Sequence, residues 1–447
     1  MTSRRSKPLC KRVARPEVPG LDAGNAVLGG QRGRGPNHPR VVRIAMAPCH
    51  VCDSPRLEPV HAAARSRGLV SSDAQALAAC VTWAVCPRCA TIQKVLDRDW
   101  RRLAADIYAR YQLNHQAAGE EPRLFSTPFG SGARTEILLK YLLRLIDLPP
   151  AGKLLDIGCA NGNLLKSFHR IRPQWELYGY EISDIRKDEV LALPGVRGFH
   201  AGADVSYPFR YDLITVCHVL EHVPNPAAFL RPLLANLAPS GRLVVIVPNI
   251  RQNPIDLLIA DHCSHFDADS LDRVLRVSGL PASDLTARAI PKELIAIAGP
   301  TSGEAKKSWS DEPAVPAGKL CRDYFRLFDG VRDAARAARA QASCFGIMGS
   351  SIAAAWLAQE VGGVAFFADE DESRHGNSLM ERPILSLADV PRGATVFIPM
   401  SRSVAERIIA RAGAMPIEFR YLDWNRIDPV SGVARPPSRT HEARRRA

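Results

Sequence analysis

Apolar positions along the 447-residue chain fall into two kinds of run, and the order of those runs is the first guide to its architecture. Within 100–108, Trp100, Leu103, Ile107 and Tyr108 mark a helical stretch. Between 135 and 146, Ile137, Leu138, Leu139, Tyr141, Leu142, Leu145 and Ile146 recur at helical spacing, and Pro149-Pro150 stops the helix. Short apolar runs at 153–157, 176–180, 212–216 and 242–247 then read as strands separated by amphipathic stretches. This alternation predicts an α/β fold: a largely parallel sheet, helices on both faces, and ligands beyond the carboxyl ends of the strands.

A second, smaller α/β unit is expected downstream. A polar, Pro-containing segment leads into a helix through Tyr324, Phe325 and Phe328, followed by a strand at 343–347, a helix at 352–361, strands at 363–368 and 394–398, and a helix at 404–412. That order is Rossmann-like. The expected partition is a basic tail at 1–45, a zinc-binding unit at 46–95, a helical connector at 96–145, a main domain at 146–300, a linker and helix at 301–340, a Rossmann-like unit at 341–430 and a second tail at 431–447.

Charge modifies this picture less than the net value of +13 suggests. Residues 1–45 carry ten Lys/Arg against Glu17 and Asp22, and residues 435–447 carry five Arg against Glu442, so the tails hold most of the excess. The body is close to neutral, which argues against a groove tracking a phosphate backbone and against nucleic acid as the partner. No apolar run approaches the ~20 residues of a membrane span. The Gly-, Pro- and Arg-rich start has no apolar export region, so the expectation is a soluble cytoplasmic protein, with translation starting at Met1 or at Met46.

Chemistry concentrates where the first predicted strand ends. Leu154-Leu155-Asp156-Ile157-Gly158 runs into Cys159-Ala160-Asn161-Gly162 and then a helix, a turn in which glycine lets a ligand approach the backbone. Some twenty residues on, Glu181 ends the next strand, where a carboxylate can accept both hydroxyls of a ribose. These features call for an adenosine-containing ligand and leave nicotinamide and sulfonium cofactors both open. Asp156-x-Gly158-x-x-x-Gly162 with Glu181 resembles the first motif and second strand end of class I methyltransferases. The runs 211–224 and 237–249 resemble that family's fourth strand and its turn and fifth strand. The resemblance implies S-adenosylmethionine as cofactor, with Asp156 and Gly158 near its methionine part, Glu181 on the ribose, Asp204 or its neighbours near the adenine, and Gly162 and His218 also among the cofactor-binding residues.

Eleven cysteines in a long chain without an export signal do not suggest a disulfide scaffold. Cys49-His50-Val51-Cys52 and Cys86-Pro87-Arg88-Cys89 instead pair as two C-x2-C knuckles able to present four thiolates to a structural zinc. Cys80 and His50 are spare donors, better read as packing residues.

Together, the cysteine pairs, the methyltransferase core and the final α/β unit resemble C-methyltransferases of nucleotide-linked keto sugars, three-domain enzymes. The resemblance implies a proton acceptor beyond the fifth strand, where Asp261-His262-Cys263-Ser264-His265-Phe266 stands: His262 as base and Asp261 as its orienting carboxylate, with His222 on the floor of the site. Ile259 replaces that family's tyrosine, and Tyr108 and Tyr111 loosely echo its paired aromatic motif. The expectation is methyl transfer to a small acceptor, a nucleotide-linked sugar. The alternatives are an RNA methyltransferase using the knuckles and tails, or a noncatalytic partner that binds cofactor or nucleotide sugar.

Overall fold

The computed structural model describes residues 48–60, 68–111, 121, 123–202, 207–299, 306–307 and 316–422. Both basic tails, Met46 and Asp204 lie outside the described residues. Strand Lys153–Ile157 shows how the main sheet is layered: Leu155 and Ile157 enter one core and Leu154 the other. The alternation repeats in Leu237–Pro248, where Leu243, Val245 and Val247 face one side and Val244 and Ile246 the other. A strand covered on both faces calls for a near-continuous apolar run, as Leu243 to Val247 reads, with Asp156 the polar break in Lys153–Ile157.

The sheet has eight strands, in the spatial order Val196–Ala201, Glu176–Glu181, Lys153–Ile157, Tyr211–Cys217, Leu237–Pro248, Glu293–Ala298, Ala282–Thr286 and Lys306–Lys307. The first five are parallel, as expected. Glu293–Ala298 then runs antiparallel to both neighbours, so the sheet is mixed. Only residues 287–292 join it to Ala282–Thr286, too short a connection for a parallel crossover.

A four-stranded sheet holds Glu58–Pro59, Trp83–Val85, Ile92–Lys94 and, from far along the chain, Ser264–His265. The last pair lies antiparallel to Ile92–Lys94 in the register Ser264↔Gln93 and His265↔Ile92. A six-stranded sheet follows in the order Ser378–Leu379, Arg382–Leu385, Phe366–Ala368, Phe345–Met348, Thr395–Ile398 and Glu418–Tyr421. Its third member starts at Phe366 because Gly362 and Gly363 both adopt left-handed backbone after the helix Ile352–Val361.

The 25-residue helix Ala317–Gln341 ties these parts together. Leu320, Tyr324, Phe328, Val331, Ala335 and Ala338 recur every three or four positions and form its buried stripe. Phe325 meets Trp83 edge-on at 5.0 Å between ring centroids, and Phe328 lies 5.4 Å from Trp356. One apolar core therefore joins the N-terminal strands, this helix and the six-stranded sheet. Among the described residues no helix is long and apolar enough to cross a membrane.

Candidate functional site

The strand Lys153–Ile157 delivers Asp156 to the carboxyl edge of the main sheet, where the chain turns through Gly158 and Gly162 before the helix Asn163–Ile171. Both glycines are left-handed, with φ of 73° and 76°. A Cβ at Gly158 would come within 2.2 Å of the Val219 side chain, so the turn closes only on glycine there. Asp156 is buried and accepts a 2.6 Å hydrogen bond from Thr215, its register partner on the adjacent strand. Burial, with Glu181 adding repulsion, pushes its carboxyl up to about 7.

Glu181 ends the neighbouring strand and closes the turn from the other side. One carboxylate oxygen accepts the Ala160 N–H at 2.8 Å and the other accepts the Ile182 N–H at 3.2 Å. Each oxygen has a second lone pair for a ligand hydroxyl. Burial raises the Glu181 carboxyl above its ordinary range. Two carboxylates strained toward neutrality beside a bare-backbone turn suit a ligand carrying ribose hydroxyls and positive charge, as S-adenosylmethionine does.

Beyond Tyr211–Cys217 the backbone turns at His218, which is left-handed at φ 53°. His218 sits 3.0 Å from Glu221 and 3.3 Å from Glu293. Burial opposes its charge and Arg134 repels it, but the two carboxylates prevail and raise it to about 9. Arg134 donates from Nε and Nη2 to the two carboxylate oxygens of Glu293, at 2.7 and 2.9 Å, which fixes that carboxylate beside His218.

A second set of side chains converges from four segments. The Nδ1 of His222 lies 2.9 Å from the Tyr108 hydroxyl and 3.3 Å from Asp261. Asp261 also accepts from the Ser72 N–H at 2.9 Å and the Ser72 hydroxyl at 2.6 Å. Burial opposes its ionisation, yet His222 and Ser72 hold it well below the usual carboxylate range. His262 stands edge-on to His222 with centroids 4.5 Å apart, and its Nδ1 is 2.6 Å from Asp256. The other oxygen of Asp256 meets His265 Nδ1, also at 2.6 Å. Lys94, fully buried, donates to the carbonyls of Ile259 and His262 at 2.6 Å each and lies 3.4 Å from His265 Nε2. Burial lowers Lys94 to about 8 against the pull of Asp256 and Asp261, and lowers His265 to about 4.

The family model described as "Methyltransferase domain" matches residues 131–282, which contain both glycines, Glu181 and the histidines 218, 222, 262 and 265. Residues 131–282 are thus a methyltransferase domain by that match. Similar curated proteins include the ubiquinone biosynthesis O-methyltransferase of Aeromonas salmonicida, 30% identical over 115 residues, or 23% of this chain and 44% of that protein. The enzyme of the same name from Marinobacter nauticus is 30% identical over 138 residues, covering 27% and 53%. The chain thus spans about half the length of the curated relatives it matches. Among solved structures, the mitomycin 7-O-methyltransferase MmcR aligns with a TM-score of 0.32 and 19% identity over 37% of this chain and 52% of that one.

Within the methyltransferase domain, the structure brings Asp156, Gly158, Gly162 and Glu181 to one turn, and His218, His222, Asp261 and His262 to the segments beside it. It differs from expectation in pairing the carboxylates and imidazoles. Asp256, not Asp261, bonds His262 Nδ1, while Asp261 serves His222. The reason is local: the 3-10 turn Pro254–Leu258 carries Asp256 under the histidine run, and Asp261 is drawn to Ser72. Asp256, Lys94, Ser72, Glu293 and Arg134 had no motif to mark them.

The four paired cysteines also meet. The sulfurs of Cys49 and Cys89 are 3.5 Å apart and those of Cys52 and Cys86 3.6 Å, and all four lie within 4.8 Å of one another. A tetrahedral ion with ~2.3 Å bonds to sulfur needs edges of roughly 3.8 Å, while a disulfide needs about 2 Å. The two knuckles share one backbone plan. Asp53 and Ala90, each directly after the second cysteine, are left-handed, and their N–H groups donate back to Cys49 and Cys86. His50 points elsewhere, its Nδ1 being 3.0 Å from the Ser264 hydroxyl, and Cys80 is exposed outside the cluster.

Proposed function

We infer that this chain transfers a methyl group from S-adenosylmethionine to a small acceptor, between the Gly158–Gly162 turn and the His222–His262 pair. The carrying observation is two imidazoles beside the cofactor turn, each with its Nδ1 held by its own buried carboxylate, so that Nε2 of each is left to receive a proton. The cofactor supplies an electrophilic methyl on a sulfonium centre. Asp156 and Glu181 position it, Asp256 orients His262, Asp261 orients His222, and the Tyr108 hydroxyl borders the acceptor space. His262 takes the proton from the acceptor as the nucleophile forms.

For the acceptor we favour a nucleotide-linked keto sugar methylated on the carbon beside its carbonyl. The cysteine knuckles and the six-stranded final unit support that reading, with residues 341–430 helping to hold the acceptor. The O-methyltransferase relatives favour a hydroxyl acceptor instead. The four thiolates would hold a structural zinc in the 46–95 unit. Such a site suits a reducing compartment, hence the cytoplasm.

The test is incubation of the full chain with the methyl donor and a panel of keto sugar nucleotides and phenols. Released S-adenosylhomocysteine and product mass should both appear, and His262→Ala should lower turnover about 10²- to 10⁴-fold. In deuterated buffer without the donor, a keto sugar should gain deuterium beside its carbonyl. Turnover confined to hydroxyl acceptors would remove the carbon reading, and no turnover on any small acceptor would overturn the function.

A further inference from the structure

One group of polar atoms in the described residues is used by none of the roles above as a set. Glu221, His222 and His262 each offer one donor atom, and the three donors lie within 4.8 Å of one another. Glu221 is wholly buried, and its second carboxylate oxygen has no hydrogen-bond partner, an expensive vacancy for an ionised group. Its first oxygen is held by His218 at 3.0 Å.

We propose that Glu221, His222 and His262 form a binding site for a divalent first-row transition cation, separate from the four thiolates, and that its occupation suspends methyl transfer. This rests on the proposed role of His262. Each ligand already has the outer partner that metal-binding side chains require: Asp261 on His222 Nδ1, Asp256 on His262 Nδ1, His218 on Glu221. Those carboxylates fix the imidazole tautomers and leave Nε2 as the coordinating atom. Two nitrogens and one carboxylate select zinc, cobalt, iron or manganese over magnesium or calcium, and three protein ligands leave positions open to solvent or acceptor. A lone pair bound to a cation cannot accept a proton, so the loaded site stops the base.

The experiment uses the full chain with zinc already in the thiolate site, titrated with cobalt(II). Visible absorption and metal content are read directly, and methyl transfer is assayed in parallel. Wild type should take up one further cation, lose turnover in step with it, and recover on brief chelation. Glu221→Gln should weaken uptake at least tenfold. Asp256→Asn, which keeps all three ligands, should weaken it about 10- to 100-fold and guards against a folding defect in the first variant. No uptake by folded wild type, unchanged uptake in both variants, or full turnover with cobalt bound would each overturn the proposal. If turnover is absent under every condition, cobalt uptake still decides the site, and only the methyl-transfer reading fails.

Discussion

Exchanging Glu181 for glutamine tests the cofactor site at its most exposed assumption. In wild type each carboxylate oxygen accepts one backbone N–H, from Ala160 at 2.8 Å and from Ile182 at 3.2 Å, and has one lone pair to spare. Glutamine keeps the shape but turns one acceptor into an NH2 group. That group faces a backbone donor and cannot accept a hydrogen bond from a ribose hydroxyl. Losing one hydrogen bond to a charged partner costs about 1.5–3 kcal/mol, so affinity for S-adenosylhomocysteine should fall roughly 10- to 150-fold. Calorimetric titration measures this directly, and thermal unfolding of the unliganded variant checks that the turn survives. A folded variant binding within about twofold of wild type would refute the claim that this carboxylate grips the nucleoside.

Two further outcomes follow from the same geometry. Asp156 has a folded-state value of about 7 against an ordinary 3.8, so it stabilises the fold fully below its unfolded value, and this contribution is lost as pH rises through about 7. In denaturant unfolding of cofactor-free protein, Asp156→Asn should therefore gain on wild type by ~2–3 kcal/mol between about pH 5 and about pH 8, and a constant difference would contradict the assignment. Removing metal with a strong chelator, or replacing Cys49 and Cys86 by serine, should unfold the N-terminal sheet cooperatively, since structural zinc contributes on the order of 10 kcal/mol. Unchanged circular dichroism and melting after verified metal loss would sink the structural-zinc reading.

Elements whose cause is local were legible in the chain itself. Lys153–Ile157 and Ile352–Val361 occupy the expected spans, because a doubly covered strand and a glycine-stopped helix announce themselves over a few residues. The glycine turn and the strand ending in Glu181 were visible for the same reason. What escaped depends on distant partners. The Glu293–Ala298 hairpin lacks a period that distinguishes its direction, yet it sets Glu293 against His218 and Arg134. Asp256 looked like one acid among many until the chain folded it beneath two histidines, and Ser72 reaches Asp261 across 189 positions.

The short pairing of Ser264–His265 with Ile92–Lys94 carries a wider implication. Because Lys94 also grips the carbonyls of Ile259 and His262, the segment bearing the proposed base is woven into the cysteine-bearing end of the protein. That end is then no detachable accessory. A truncation that removed Ile92–Lys94 would unmoor histidines that lie 168 and 171 positions downstream of Lys94.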